Sequence, residues 1–343
     1  LRRDYSLPPL QAIHVHHGLH PDADRWVEHC VRETAARNIP LTIERVRLNN
    51  GASVEAQARD ARYAAFARHM GVNDCLLLAH HRDDQLETLL FRILRGTGLR
   101  GLAGMPESRP LVRGRLFRPL LDQPRRALQT WASTRKLEWI EDPANTDSRF
   151  ARTALRHDLL PRLQQGWPAV EESLLTLSSH ACEANELLDE RADEDMQRLS
   201  GVEDPWLSPW PSLEVSGLLG LSSARRRNLL RFWLRLHGHD LPQRRLRALE
   251  RQLNGSGESQ PVVELAQVQL HRSAGRLWIL KDADLQPPPD QPIDSQGAII
   301  LAGGNGVLSL RLPAVDGEHM QDWSLGYRRG GESIRLPGRP TQS

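Results

Sequence analysis

Ten residues, AHHRDDQLET (79–88), hold two histidines, two aspartates and a glutamate. Three kinds of chemistry suit those side chains: metal ligation, acid–base work by a histidine–carboxylate pair, or the polar cap of a helix. A second cluster, HVHHGLHPDAD (14–24), adds four histidines and two aspartates. A hydrolytic metal centre could draw on both, through His80, His81, Asp83 and Asp84. Against it, His14 and His16 share one strand face while His17 points the other way, and no helix carries an i,i+4 histidine pair. Carboxylates in this setting suit Mg²⁺ held together with a substrate phosphate.

Other stretches carry charge in patterns with two readings each. GTGLRG (96–101) satisfies G-x-G-x-x-G but follows a helix instead of a strand, which excludes a Rossmann dinucleotide site. Beside Arg95 and Arg100 it either admits a phosphate to its backbone or is a helix C-cap at Gly96. EAQARDARY (55–63) places Glu55, Arg59 and Arg62 on one helix face, where a solvated ion-pair row is the plain alternative. WIEDPANTDSRFARTALRHDLLPRL (139–163) sets Asp142, Asn145 and Asp147 in a turn before Arg152 and Arg156. Between Ser222 and Gln252 an arginine-rich face opposes an apolar side of Leu229, Leu230, Trp233 and Leu234, as either a solvated surface or an RNA-backbone contact.

The elements that must position these residues alternate. Strand-like AIHVHH (12–17), LTIERVRL (41–48) and CLLLAH (75–80) are separated by helical patterns over 22–38 and 53–70. That spacing predicts βαβ units and a parallel sheet, with the first polar cluster where a strand hands over to a helix with Leu86, Leu89, Leu90 and Ile93 on one side. Ligands bind at that edge of such sheets. LFRPLL (116–121), a helix over 124–136 and a short strand LEWIED (137–142) follow. From about 151 the pattern is helical to Leu199, and a Pro/Trp-rich break comes next. Two basic helices (223–254) then precede a strand pair within 262–280 and a proline-rich linker (285–292).

Composition narrows the class. The 343 residues are 39% hydrophobic with a net charge of only +2, which fits a soluble globular chain without a strong overall field for nucleic acid. No apolar run suffices to cross a membrane. Three separated cysteines fit a reducing cytoplasm and exclude a disulfide framework. Lysine occurs only at Lys136 and Lys281, so the GxxxxGK[ST] phosphate loop is absent from these residues.

Together, AIHVHHGLHPDAD, EAQARDARYAAF, LLLAHHRDDQLETLLFRILRGTGLRGLAGM, FRPLL and WIEDPANTDSRFARTALRHDLLPRL resemble, in order, the nucleotide domain of the tRNA(Ile)-lysidine synthetase family, of the PP-loop ATP-pyrophosphatase type. The resemblance implies an α/β fold with five parts. These are a parallel-sheet nucleotide-binding domain (1–165), a helical connector (166–209), a helical substrate-binding domain with β structure (210–283), a linker with a β segment (284–323), and the opening of a C-terminal domain (324–343).

The activity implied is ATP-dependent joining of free L-lysine to C2 of the wobble cytidine in the CAU anticodon of tRNA(Ile), releasing AMP and pyrophosphate. ATP and Mg²⁺ are the implied cofactors, and a homodimer is retained as an expectation. Residue by residue it implies Val15, His16, His17, Gly18, Arg59, Arg62, Arg95 and Gly96 for ATP, and Arg152, Arg156, Arg225, Arg226 and Arg227 for tRNA.

Asp84 and Glu87, three apart on the first helical turn, suit the ε-ammonium of lysine. His80, His81 and Asp84 are the catalytic candidates, and Asp83 is either a helix cap or a Mg²⁺ neighbour. The pattern departs from the family at Ala144 and at Arg152-Thr153. Its SGGxDS loop is expected upstream of Leu1, so the chain as written is expected to be inactive. Paired cysteines needed by 2-thiocytidine relatives are lacking. A non-catalytic RNA-binding protein and a metal-dependent phosphohydrolase are the readings from other classes.

Overall fold

The computed structural model describes residues 9–47, 54–143, 151–201, 210–253, 262–265, 267–281, 289–292, 298–301, 307–309 and 324–326. The chain forms two compact units, Leu1–Asn185 and Glu186–Ser343.

In the first unit, β1 (Ala12–His16) and β2 (Leu41–Arg45) pair in parallel through the crossover helix α1 (Ala23–Ala35). The connection requires a helix because parallel strands cannot be joined by a tight turn. Helix α2 (Val54–His69) leads to β3 (Cys75–Leu77), α3 (Arg82–Leu94) and the short α4 (Leu99–Leu102). Strand β3 pairs in parallel with β5 (Gly114–Phe117), which is also antiparallel to β4 (Ser108–Leu111). Among the described residues β1 and β3 belong to separate sheets. The apolar side of α3 supplies the centre of the unit, with Leu86 and Leu89 each 1% exposed. Burying such a leucine contributes roughly 2 kcal/mol.

Two local features differ from the sequence pattern. The β4–β5 hairpin turns on Val112-Arg113, with Val112 in the left-handed region at φ 53°. An Asn-Gly or Asp-Gly pair would have announced this turn; a β-branched residue does not. LEWIED (137–142), expected as a strand, is coil, with Trp139 and Ile140 exposed. Its alternation is strand-like, but a strand exists only through pairing, and no described strand pairs with it.

After α5 (Arg125–Thr134), the chain is described again from α6 (Ala151–Ala154). A π-helical turn, Leu155–Leu159, joins α6 to α7 (Leu160–Gly166). Helix α8 (Val170–Leu199) passes from the first unit into the second. The second unit has an antiparallel sheet ordered β6 (Ser212–Glu214), β9 (Arg276–Lys281), β8 (Val268–Ser273), β7 (Val262–Glu264). VVELAQVQLH therefore makes two strands, not one. The sheet shares a core with α9 (Val215–Gly220), α10 (Ser223–Leu236) and α11 (Gln243–Leu253), centred on Leu229, Leu230, Trp233, Leu246 and Leu270. Short strand pairs follow, β10 (Gln291–Pro292) with β13 (Ser324–Leu325) and β11 (Ala298–Ile300) with β12 (Val307–Ser309). Among the described residues no helix is long and apolar enough to cross a membrane.

Candidate active site

The polar cluster occupies the turn from β3 into α3. His81 is extended and caps α3 reciprocally: its Nδ1 accepts from the Asp84 amide at 3.4 Å, and Asp84 Oδ2 accepts from the His81 amide at 2.9 Å. Accepting at Nδ1 leaves the proton of neutral His81 on Nε2. Arg82 and Asp83 anchor the helix start to the next segment. Arg82 donates from its amide to Gln123 O at 2.9 Å and from Nε to Asp122 O. Asp83 Oδ2 accepts from the Arg125 amide at 2.9 Å, capping the first turn of α5 from outside that helix.

Asp84 and Glu87 face the π-turn. Arg156 Nε donates to Glu87 Oε1 at 2.6 Å, and its guanidinium lies 3.6 Å from Asp84 Oδ1. Leu90 of α3 packs with Leu155 and Leu160, which fixes the π-turn against the helix. Such turns recur at functional sites because they displace one side chain from the regular helical spacing. Glu87 is only 3% exposed. Burial raises its pKa, and the ion pair with Arg156 partly offsets that rise. The two carboxylates expected to receive an ammonium thus already hold a guanidinium.

Beside this acidic pair stands a group of arginines. Burial lowers the pKa values of Arg62, Arg92 and Arg118, and each is lowered further by other arginines, with Arg59 acting on all three and Arg152 on Arg62 and Arg92. Arg118 is 4% exposed; its Nη1 donates to Pro106 O at 2.6 Å while its Nε has no partner. Mutual repulsion of this kind is relieved by a polyanion. His80 lies in both fields. Its pKa is lowered to about 4, first by burial and then by Arg118, Arg62 and Arg152, against an upward pull from Asp84. It is therefore a neutral imidazole near pH 7, and its buried Nδ1 has no partner.

Arg62 also acts on the first polar cluster. His17 is lowered by burial and then by Arg62, so the ends of β1 and β3 both feel this guanidinium although the strands are not hydrogen-bonded to each other. Val15 and His16 close β1, and Gly18 follows at φ 67°, a conformation that favours glycine. His16 Nε2 lies 3.4 Å from Asp24 Oδ1 without a hydrogen bond. Among the described residues no group of three or more His, Cys, Asp or Glu could hold a metal ion.

The glycine-rich loop leaves α3 through Gly96 in the left-handed region, φ 73°, with its amide bonded to Ile93 O. Side chains of α3 then hold the rest. Gln85 exchanges two hydrogen bonds with Met105, and Arg92 Nη1 donates to Gly101 O and to Gly104 O at 2.7 Å. Arg95 is exposed and lies over the Phe91 ring at 4.9 Å.

The arginines expected to touch tRNA are placed in three different ways. Arg152 is exposed, whereas Arg156 holds Glu87. On α10, Arg225 is bound by Asp195, itself 1% exposed, at 2.5 and 3.1 Å. Arg226 is buried, and Arg227 makes two bonds to Glu250 at 2.8 and 2.9 Å. The sequence patterns assigned neither Arg92 nor Arg118 to the site. Arg118 left one trace, a cation directly after the strand that carries the buried Leu116. Asn145 and Asp147, the Glu55 side chain, the linker residues 285–288 and the tail from 327 lie outside the described residues.

Comparison with known proteins agrees with this division. Residues 1–163 match the PP-loop domain model, and residues 213–278 match the TilS substrate binding domain model. A tRNA(Ile)-lysidine synthase of Pseudomonas putida is 44% identical over 98% of this chain and 78% of its own length. Those of Pseudomonas aeruginosa and Alkalilimnicola ehrlichii are each 42% identical, over 99% and 97% of this chain and 76% and 75% of their own. Among solved structures, a U34-tRNA thiolase from Methanococcus maripaludis with its [4Fe-4S] cluster aligns at a TM-score of 0.39 and 17% identity, over 52% of this chain and 64% of that one. On the extent and identity of the lysidine synthase matches, this chain belongs to the tRNA(Ile)-lysidine synthase family.

Proposed function

We propose that the first unit performs the two half-reactions of lysidine formation at the turn from β3 to α3. ATP adenylates O2 of the wobble cytidine and releases pyrophosphate. The ε-amine of free lysine then attacks C2, and AMP departs with the oxygen. The observation that carries this reading is the position of His80, between a carboxylate that draws cations and an arginine group that draws polyanions. A reaction joining an ammonium-bearing substrate to a phosphorylated one needs both fields in one place.

Arg59, Arg62, Arg92, Arg118 and Arg152 supply positive charge toward the triphosphate and the tRNA, with Val15 to Gly18, Arg95 and Gly96 along the nucleotide side. Asp84 and Glu87 receive the ε-ammonium, in the place now held by Arg156. His80, neutral and unpartnered at Nδ1, is the better candidate for taking a proton from the attacking amine; His81 is occupied as the cap. Phosphate charge held beside His80 would raise the proton affinity of its imidazole. The described residues do not form a protein cage for Mg²⁺, and Asp83 is engaged by α5. Mg²⁺ would enter with the nucleotide phosphates, whose oxygens suit it, and would offset their charge. Residues 1–165 thus carry the chemistry and 210–283 the grip on tRNA.

The test, made in the full-length protein, separates the half-reactions. Asp84→Asn and Glu87→Gln keep shape and remove charge, so each should raise the lysine KM at least tenfold while tRNA adenylation, followed as pyrophosphate release, changes less than threefold. Equal losses in both steps would refute the assignment of lysine to this pair.

A further inference from the structure

We propose that the second unit carries a built anion site between α10 and α11, and that its ligand is one backbone phosphate of the tRNA. The proposal rests on the reading that this chain binds tRNA. It differs from the contiguous run Arg225 to Arg227 that the sequence suggests.

A basin of about 620 Å³ is lined by Ser223, Arg226 and Arg227 from the first turns of α10 and by Arg247, Glu250 and Arg251 from α11. Four guanidinium groups face one carboxylate, and Glu250 is engaged by Arg227. Arg226 is the residue that marks the basin as a site. It is 8% exposed, its Nε is buried without a hydrogen-bond partner, and it lies above the fully buried Leu229 and Leu230. Burying a guanidinium nitrogen without an acceptor costs free energy that packing alone does not return. An incoming oxyanion would supply the acceptor.

The helix end reinforces that demand. Ser222 Oγ satisfies only the Arg225 amide, and the first turn of the 14-residue α10 has no acidic side chain. Its free amides and the helix dipole favour an anion at that end. Guanidinium forks match phosphate oxygens in pairs. The exposed Arg247 and Arg251 stand i,i+4 on α11 and open the basin to solvent, so the phosphate of an extended chain can enter without burying its neighbours. Arg225 is excluded because Asp195 already holds it.

The test uses the full-length protein and measures tRNA affinity as a function of salt. Arg247→Gln/Arg251→Gln, both at exposed positions, should weaken binding about tenfold and reduce the slope of log Kd against log salt by about 0.7–0.9. Arg226→Gln should do the same if it folds. Arg244→Gln, on the same helix outside the basin, should change the slope by less than a third of that. Equal effects at Arg244 and at the basin would return the helix to a diffuse charged surface and overturn the proposal. Inorganic phosphate is the second probe. Stabilisation of the wild type by millimolar phosphate, lost in the basin variants while their tRNA slope is unchanged, would make this a small-anion site and refute the RNA assignment. Normal adenylation and lysine transfer with an unchanged slope would defeat the basin and leave the proposed function standing. Failure of the wild type to bind tRNA at all would defeat both.

Discussion

Replacing Arg156 by leucine tests the centre of the site through its electrostatics. The Glu87 side chain is 4% exposed and Arg156 21% exposed. Removing one partner of a buried pair costs roughly 3–5 kcal/mol, and partial solvation of the guanidinium brings this to about 2–3 kcal/mol near pH 7.5. The sign with pH follows from Glu87. Burial already raises its folded pKa above the unfolded value, and Arg156 is the main force holding it down. Without Arg156 the folded pKa rises further. Between the unfolded value, about 4.3, and the new folded value, the folded state binds more protons, so stability falls as pH rises by up to about 1.4 kcal/mol per unit. The deficit of Arg156→Leu should therefore be small at pH 5 and fully developed at pH 7.5. Native-state hydrogen exchange in peptides covering Arg82–Leu94 reads it locally, which a global melt of a two-unit chain would not. Adding Glu87→Gln should recover most of the loss at pH 7.5, and millimolar L-lysine should protect Arg156→Leu more than the wild type. A deficit equal at both pH values, or a double variant no better than the single one, would refute this account.

Asp83→Ala should cost about 1 kcal/mol by uncapping α5, whereas Asp83→Asn, which keeps the acceptor for the Arg125 amide, should cost little. An increased Mg²⁺ requirement for adenylation in Asp83→Asn would instead make this carboxylate a metal neighbour. His80 has a folded pKa of about 4, below the unfolded value, so the folded state binds fewer protons and loses stability as pH falls from about 6.5 toward 4. With solvent screening this amounts to about 1 kcal/mol, and His80→Gln should flatten the acid limb of a denaturation profile; an unaltered limb would contradict the burial of this imidazole. Gly104→Ala should destabilise the first unit by about 2 kcal/mol or more, since its φ is +66° and a Cβ there would lie 2.6 Å from Gln85 Nε2. Gly96→Ala meets nothing within 4 Å and should cost only the backbone term of about 1 kcal/mol, so equal thermal shifts would refute the steric part.

Local information sufficed for much of this protein. The 3.6-residue spacing of Leu86, Leu89 and Leu90 marked α3, the apolar run before it marked β3, and their junction located the polar cluster. The i,i+3 spacing of Asp84 and Glu87 placed both carboxylates on one face, because helical geometry requires it. Gly96 as a helix terminator followed from its position after the last periodic residue and agrees with its positive φ. What each charged group holds was decided only by folding. Asp83 capping a helix 42 residues away, and Arg156 reaching Glu87 across 69 residues, are contacts of packed elements that no local pattern encodes. The same holds on α10, where Arg225, Arg226 and Arg227 look alike in sequence but are respectively tied to Asp195, buried and tied to Glu250. Consecutive helical residues point about 100° apart, so one faces a neighbouring helix, one the core and one another partner. Sequence specifies that three cations are present, but only the tertiary environment, through burial and counter-charge, decides which of them keeps free charge for a ligand.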